Sequence, residues 1–232
     1  LIVSLSSRIS PRTSTVTFLE RSPLATTVAS QVAEQRVTLQ VSWETYERLL
    51  AEHPDVAGPR FTYDEGTLEI MVVSASHEQP NRILARLVEE VATELGIDIG
   101  PLGSTTFKRE ELLKGFEPDS AFYIGRRSAL WDTELDAAVD PPPDLVIEID
   151  ISRSSLPRFP IFAAFGVPEV WRYDGTRVSV WRLEAGRYVE AQTSMALPVV
   201  TGAVATQFLE ESRTLPSTEW VRRVREWARS QG

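Results

Sequence analysis

Residues 144–150 read Asp-Leu-Val-Ile-Glu-Ile-Asp, a run that is β-branched and almost wholly apolar apart from its acids. Continuous hydrophobicity, rather than alternation, is typical of a strand that is covered on both faces. Because side chains two positions apart share one face of a strand, Asp144, Glu148 and Asp150 project to the same side. The run therefore predicts a central strand that carries acids into a buried environment.

Helical and strand patterns alternate on either side of this run. Asp174-Gly175 and Ala185-Gly186 predict turns that join three strands into a meander, and Asp64-Glu65-Gly66 predicts a β-hairpin. Ser76-x-x-Gln79 is a capping-box signature for the longest helix, which is expected to end at Gly96. Predicted helices cover residues 42–52, 76–95, 155–165, 203–211 and 218–229, and predicted strands cover residues 60–63, 67–73, 104–108, 119–124, 145–149, 169–173, 177–183 and 188–191.

Strands interleaved with helices and followed by a meander predict an α/β protein with a mixed sheet. We expect residues 38–232 to form a single domain, in which the polar connection 125–143 has room for a short helix. Residues 1–30 are rich in Ser, Thr and Arg, with Glu20 as their one acid, and are expected to be a disordered leader. Their composition resembles an organellar transit peptide, and an over-extended start site fits it equally well.

Composition excludes several kinds of site. The chain has no cysteine and only two histidines, His53 and His77, which excludes thiol catalysis, iron–sulfur clusters, zinc ribbons and disulfides. A bound metal must then rest mainly on carboxylates, which favours Mg²⁺ or Mn²⁺. No apolar stretch approaches the roughly 20 residues needed to cross a bilayer, so we expect a cytoplasmic protein without a membrane partner. The net charge of −9 leaves room only for a local nucleic-acid-binding patch.

Two acidic residues lie where a buried strand would leave them without water. Glu148 is in the middle of one strand, and Asp119 directly precedes another. An unpaired ionised carboxylate in a core costs several kcal/mol, so each acid needs a cation, hydrogen-bond donors or water. Carboxylates from adjacent strands would form a site for a divalent cation, which can lower the pKa of a bound water and shield phosphate charge. Capping of turns at strand ends is the other interpretation, and it suits Asp144 better than Glu148.

An ordered set of short motifs accompanies these acids. The motifs are Gly103-Ser104-Thr105-Thr106, Glu117-Pro118-Asp119, Asp144-Leu145-Val146-Ile147-Glu148 and Gly166-Val167-Pro168-Glu169-Val170-Trp171-Arg172-Tyr173-Asp174. From about residue 40 to about residue 230, the chain resembles the PD-(D/E)xK nuclease superfamily and, within it, the bacterial Uma-type domain described as a putative restriction endonuclease. The resemblance implies a restriction-endonuclease-like α/β fold, in which a mixed β-sheet core is flanked by helices and followed by a β-meander and C-terminal helices. It also implies metal-dependent hydrolysis of DNA phosphodiester bonds.

The resemblance assigns roles residue by residue. It makes Asp119 the first metal ligand and Glu148 the second, with the backbone carbonyl of Ile149 as a third. Asp150 stands where the superfamily pattern has lysine. In Uma-type domains the lysine lies instead on the following helix, about eight residues before a Gly-Val pair, and that position holds Arg158. Arginine can steady a phosphate, but it cannot act as a general base near neutral pH.

Three further residues are candidates for the same site. Lys108, one of only two lysines, lies on the predicted strand before Asp119, although a solvated strand-end lysine is the alternative. Glu78 begins the long helix, where the superfamily often places an additional acid, and where an acid also suits the helix macrodipole. His77 falls on the apolar side of that helix. It fits either a group that orients a carboxylate or phosphate, or a hydrogen-bonded core histidine.

The leading hypothesis from the sequence is a Mg²⁺- or Mn²⁺-dependent endonuclease that acts on DNA, with homodimerisation suggested by the resemblance. Because Asp150 and Arg158 replace the expected lysine, the alternative is a catalytically inactive domain of the same fold that binds nucleic acid or a protein partner. A third hypothesis is a glycosidase with a carboxylate pair and no metal, which needs one acid of raised pKa.

Overall fold

The run at residues 145–149 forms a buried strand in the computed structural model, which describes residues 35–53, 58–125, 139–152 and 156–232. This strand, β8 (Leu145–Ile149), lies inside a six-stranded sheet. Its antiparallel neighbour is β7 (Ser120–Ile124), and its parallel neighbour is β9 (Glu169–Tyr173). The other strands are β4 (Ile99–Gly103), β10 (Val178–Glu184) and β11 (Arg187–Ala191), in the order β11-β10-β9-β8-β7-β4. The predicted mixed sheet and meander are confirmed.

Among the same residues, five further strands form a second sheet, which is antiparallel throughout. They are β1 (Gln35–Gln40), β2 (Arg60–Asp64), β3 (Thr67–Val72), β5 (Phe107–Arg109) and β6 (Lys114–Phe116), in the order β1-β3-β2-β6-β5. The predicted hairpin is confirmed as the β2–β3 turn. Glu65 and Gly66 both have positive φ there (46° and 98°), as a two-residue hairpin loop requires. The sequence predicts only one sheet, and this second sheet is not predicted from it.

The described residues contain five α-helices, which cover the sheets. They are α1 (Trp43–Glu52), α2 (Ala75–Leu95), α3 (Arg158–Phe165), α4 (Gly202–Glu211) and α5 (Ser217–Arg229). On one face of β8, Leu145, Ile147 and Ile149 join a core with α2, α4 and α5. On the other face, Val146 packs in a core that contains residues of α3. Glu148 belongs to this second face because side chains alternate along a strand. The α/β fold predicted from the sequence is confirmed.

Two helices begin more than one residue away from their predicted starts. The capping box at Ser76 is wrong as a helix start, because Ser74 is the N-cap and Ser76 already lies in the first turn of α2. Both serines are residues of the N-capping type, so composition alone does not choose between them. The helix predicted from residue 155 begins at Arg158, since Pro157 has an extended backbone (φ −69°, ψ 114°).

The strand predicted at residues 104–108 is misplaced. The structure has β4 before this segment and β5 at its end, with a turn between them in which Thr105 N–H donates to Leu102 O. The sequence of β4 contains Gly100, Pro101 and Gly103, which are disfavoured in a strand interior. They are accommodated because β4 lies at the sheet edge and its register shifts between Pro101 and Gly103.

Some predictions concern residues that the structure does not describe, or properties that it does not test. The leader at residues 1–30 and most of the connection 125–143 lie outside the described residues. All described residues belong to one unit, Gln31–Gly232, and the single domain at 38–232 stays a prediction. In the described segments, no helix is long and apolar enough to cross a membrane.

Gly202 provides a test of the packing of α4 on the six-stranded sheet. A Cβ at this first residue of α4 would lie 2.6 Å from the backbone oxygen of Val178. Because a backbone atom cannot rotate away, Gly202→Ala should lower the free energy of unfolding by about 1–3 kcal/mol, measured by urea denaturation. Gly232→Ala is the control, since its Cβ would lie 3.7 Å from Leu95. Equal losses in both variants would contradict the packing.

Candidate functional site

Asp119 and Glu148 lie at the same end of the β7–β8 pair. The register pairs Ser120, the first residue of β7, with Ile147, so Asp119 directly precedes β7 beside the end of β8 that carries Glu148. The charge of Asp119 contributes to the raised pKa of Glu148, as expected for two neighbouring carboxylates. The two acids are buried, with exposed fractions of 3% and 6%. The structure therefore brings together the two acids that the sequence singles out.

Hydrogen bonds hold Asp119 in one orientation. His77 Nε2 lies 2.8 Å from Oδ1, and the Ile149 N–H donates to Oδ2 at 2.7 Å. The Asn81 side-chain amide donates to the Asp119 backbone carbonyl at 3.1 Å, and Ser120 Oγ donates to Asn81 Oδ1 at 2.8 Å. His77 is fully buried. Such contacts fix the orientation of a carboxylate that is to act as a ligand.

Glu148 has one oxygen that the described part of the protein leaves without a partner. Its buried Oε2 accepts no hydrogen bond there, and its Oε1 lies 3.5 Å from Arg158 Nε. Burial raises the pKa of Glu148 to about 7, against the opposing effect of Arg158, and the charge of Asp119 adds to the increase. A cation would both occupy the unpartnered oxygen and favour the ionised carboxylate.

Arg158 connects Glu148 to the five-stranded sheet. Its guanidinium donates to Thr62 Oγ1 on β2 and lies 3.5 Å from Glu69 Oε1 on β3. Glu69 is completely buried, and Arg36 of β1 donates to the same Oε1 at 2.7 Å. Acidic and basic groups thus alternate from Glu148 to Arg36 across both sheets. Buried and shared between two carboxylates, Arg158 is held beside Glu148.

Sequence reasoning misses two residues of this arrangement. Glu69 interrupts the hydrophobic strand β3 as Glu148 interrupts β8, so the same signal identifies it in retrospect. Asn81 carries no comparable signal, because a polar residue on an amphipathic helix is ordinary until the packing of β7 buries it.

The two acids open onto different clefts. Glu148 lines a cleft of about 620 Å³ that also carries the side chains of Arg36, Arg158 and Arg172. Asp119 lines a separate cleft of about 360 Å³.

The structure places Lys108 and Asp150 in other contacts. Lys108 lies on β5 of the five-stranded sheet, where its Nζ donates to Glu47 Oε1 at 2.7 Å, and it is not brought to the acid pair. Asp150 lines the Glu148 cleft, but it accepts a hydrogen bond from Arg172 Nε at 2.9 Å. The lysine position of the superfamily pattern is therefore occupied by the carboxylate of Asp150, and the amine of Lys108 does not replace the missing lysine there.

Three further predicted residues are engaged with their local surroundings. Glu78 lines the Asp119 cleft and accepts from Arg82 Nε at 2.8 Å. Asp144 accepts from the Ile124 N–H at 2.8 Å, which is the strand-end role considered for it. For Ile149, the main-chain contact with the site is its N–H donation to Asp119, and the ligand role of its carbonyl stays a prediction.

Comparison with known proteins agrees with the resemblance that the motifs carry. The family model described as "Uma2: Putative restriction endonuclease" matches residues 43–216, which is more than half of the chain. The chain belongs to the Uma2 family. The resemblance inferred from the ordered motifs is thereby confirmed. No curated protein matches the chain significantly. The matched residues of this Uma2 domain include Asp119, Glu148, Glu69 and Arg158.

The raised pKa of Glu148 predicts a specific dependence of stability on pH. In the unfolded chain, Glu148 loses its proton near its ordinary pKa of 4.5, whereas the folded protein retains it up to about pH 7. The folded protein binds more protons over this interval, so its free energy of unfolding falls as pH rises. Glu148→Gln removes this loss.

We therefore expect Glu148→Gln to become more stable relative to the wild type by about 3 kcal/mol between about pH 5 and about pH 8. The measurement is urea denaturation in EDTA at both pH values. Other titrating groups cancel in the difference between the two proteins. An unchanged difference across this interval would show that Glu148 has an ordinary pKa.

Proposed function

We propose that this Uma2 domain hydrolyses phosphodiester bonds of DNA, with Mg²⁺ or Mn²⁺ bound between Asp119 and Glu148. The observation that carries the proposal is the buried, unpartnered Oε2 of Glu148, near an oriented Asp119. Membership of a family described as putative restriction endonucleases supports a nuclease.

The acid pair fits a hard divalent cation. Mg²⁺ is usually held by one or two carboxylates together with waters and substrate phosphates, rather than by a complete cage of side chains. No group of three His, Asp or Glu side chains in the described segments is arranged to hold a metal, so waters and a substrate phosphate would have to complete the coordination. Each oxygen of Asp119 accepts one hydrogen bond, so each retains a second lone pair for a ligand bond.

A bound ion would supply a water of lowered pKa and would shield the phosphate charge. The residues of the chain prepare for this chemistry. His77 Nε2, 2.8 Å from Asp119 Oδ1, keeps the carboxyl group of Asp119 in place. Glu148 releases its proton when positive charge approaches, since a nearby cation lowers the pKa of a carboxyl group. Arg158 contacts a phosphate oxygen and stays charged throughout, so it cannot accept the proton of the attacking water.

The cleft beside Glu148 has the charged groups that a phosphate needs. Three arginines and three acids line it, namely Arg36, Arg158, Arg172, Glu148, Asp150 and Asp174. A divalent cation at Glu148 would leave this cleft with a net positive charge, although the chain as a whole carries −9. The raised pKa of Glu148 would also suit the acid of a glycosidase, but a neutral sugar does not require guanidinium groups. The arginines therefore favour a phosphodiester.

Plasmid nicking tests the proposal directly. The wild type with Mn²⁺ should convert supercoiled plasmid to the nicked form, and Glu148→Ala should abolish the reaction because it removes a metal ligand. Glu190→Ala removes an exposed carboxylate of β11 that pairs with Arg177, and it should leave nicking unchanged. Calorimetric titration with Mn²⁺ should show binding to the wild type and much weaker binding to Glu148→Ala. Equal nicking by the wild type and Glu148→Ala would exclude Glu148 from the reaction.

A second function, a catalytically inactive domain that binds nucleic acid or a protein partner, is favoured by the environment of Arg158. This arginine occupies the lysine position of the family and is shared between two carboxylates, Glu148 and Glu69. If the missing amine is what silences the domain, the wild type should bind Mn²⁺ without nicking plasmid.

Arg158→Lys distinguishes the two functions. Lysine can lose its proton in a buried site, whereas arginine cannot. If the wild-type domain is inactive because it lacks the amine, Arg158→Lys should produce Mn²⁺-dependent nicking that the wild type lacks. If the wild type is already an active nuclease, Arg158→Lys should leave its nicking activity unchanged or reduce it. The comparison is made in the plasmid assay, with Arg222→Lys on α5 as a matched control, since Arg222 is 62% exposed.

A further inference from the structure

The cleft on the Asp119 side contains a buried arginine that the proposed chemistry does not use. Arg60 of β2 lines this cleft, and its side chain is 8% exposed. Its buried Nε has no hydrogen-bond partner within the described residues. The carboxylate oxygens in its ion pairs, Asp119 Oδ1 at 3.9 Å and Glu78 Oε2 at 4.0 Å, lie beyond hydrogen-bond distance. Because a buried N–H without an acceptor is unfavourable, Arg60 is suited to an anion.

The N-terminus of α2 opens onto the same cleft. The side chain of the N-cap residue Ser74 makes no capping hydrogen bond, and its Oγ lies 2.8 Å from Ser76 Oγ instead. Ser74 and Ala75 both line the cleft. The His77 N–H already donates to Ser74 O, so the N–H groups of Ala75 and Ser76 are those without an intrahelical partner, and the helix dipole favours negative charge there. Two independent features, a buried guanidinium and an uncapped helix start, thus face one cleft.

The acids at this cleft are already engaged by other groups. Asp119 accepts hydrogen bonds from His77 and from a backbone N–H. Glu78 accepts from Arg82 at 2.8 Å, and its side chain is 35% exposed to solvent. Their charges are therefore shared with partners nearer than Arg60. An anion with several oxygens can bond to the guanidinium and to the helix N–H groups together.

We propose that this cleft binds a backbone phosphate of DNA, held by Arg60 and the first turn of α2. The choice of DNA rests on the proposed function, because the cleft adjoins Asp119 and the acid pair. A DNA strand held at that pair would place a neighbouring phosphate here. The contact positions the strand and takes no part in bond cleavage.

Binding of labelled duplex DNA in EDTA, measured by fluorescence anisotropy, tests the proposal without requiring hydrolysis. Arg60→Met should weaken binding about tenfold. It should also lower the slope of log K against log salt by about one. Arg222→Met removes the same charge from an exposed position of α5 and should change neither quantity. Equal affinity of the wild type and Arg60→Met, or equal losses in both variants, would overturn the proposal.

A second variant leaves the buried arginine intact. Ala75 is exposed at the first residue of α2, where an acid suits the helix dipole, so Ala75→Glu should fold. Its carboxylate would repel a phosphate and should weaken DNA binding. Ala203→Glu makes the same change in the exposed first turn of α4 and should leave DNA binding unchanged. Wild-type affinity in Ala75→Glu would overturn the proposal even where Arg60→Met does not fold.

Inorganic phosphate distinguishes a DNA subsite from a site for free phosphate. Phosphate should raise the Tm of the wild type more than chloride at equal ionic strength, and less so in Arg60→Met and Ala75→Glu. If the variants lost this stabilisation but bound DNA like the wild type, the ligand would be free phosphate and the assignment to DNA would be wrong. Neither measurement depends on cleavage, so a failure of the proposed nuclease activity shows separately in the plasmid assay.

Discussion

The burial of Glu148 is the constraint on which the site depends. A carboxylate in the covered strand β8 is unfavourable unless a proton, a cation or hydrogen-bond donors compensate it. The described part of the fold provides only partial compensation, since Arg158 lies 3.5 Å from one oxygen and the other oxygen has no partner. The pKa of Glu148 is raised because burial disfavours its ionised form more than Arg158 stabilises it, so its affinity for a proton is increased. A group that prefers a proton for lack of positive charge also has affinity for a metal cation, and this connects the folding energetics to the proposed chemistry.

The surrounding elements place fixed groups around the incompletely compensated carboxylate of Glu148. The pairing of β7 with β8 brings Asp119 near Glu148, and α2 fixes the carboxylate of Asp119 through His77. From the five-stranded sheet, Glu69 helps to hold Arg158. The site therefore requires both sheets and a helix, and its geometry follows from the packing of the fold rather than from a mobile loop. Precise placement of ligands is easier on such elements than on loops.

The parts of this structure that can be predicted from the sequence have local signals. The strand β8, the turn at Glu65-Gly66 and the helix end at Gly96 each follow from a few adjacent residues. The importance of Asp119 and Glu148 follows from charge in a hydrophobic context. The parts that cannot be predicted depend on pairing between distant segments. The edge strand β4 is rich in glycine and proline, and its extended form is stabilised by β7. Lys108 lies away from the acid pair because β5 belongs to the five-stranded sheet. No local sequence pattern reveals that the strands divide into two sheets.

Arg158 determines what kind of chemistry this arrangement can support. A lysine held beside Glu148 could lose its proton in a low-dielectric site and then accept one from water, whereas a guanidinium remains charged at any relevant pH. Its position between Glu148 and Glu69 uses that permanent charge, because a neutral side chain would leave the buried Glu148 without this counter-ion and Glu69 with Arg36 alone. The same residue thus stabilises the junction of the two sheets and excludes itself as a base. Any hydrolysis in this cleft must therefore transfer the proton of the attacking water to a group other than Arg158, which can contribute only by stabilising negative charge.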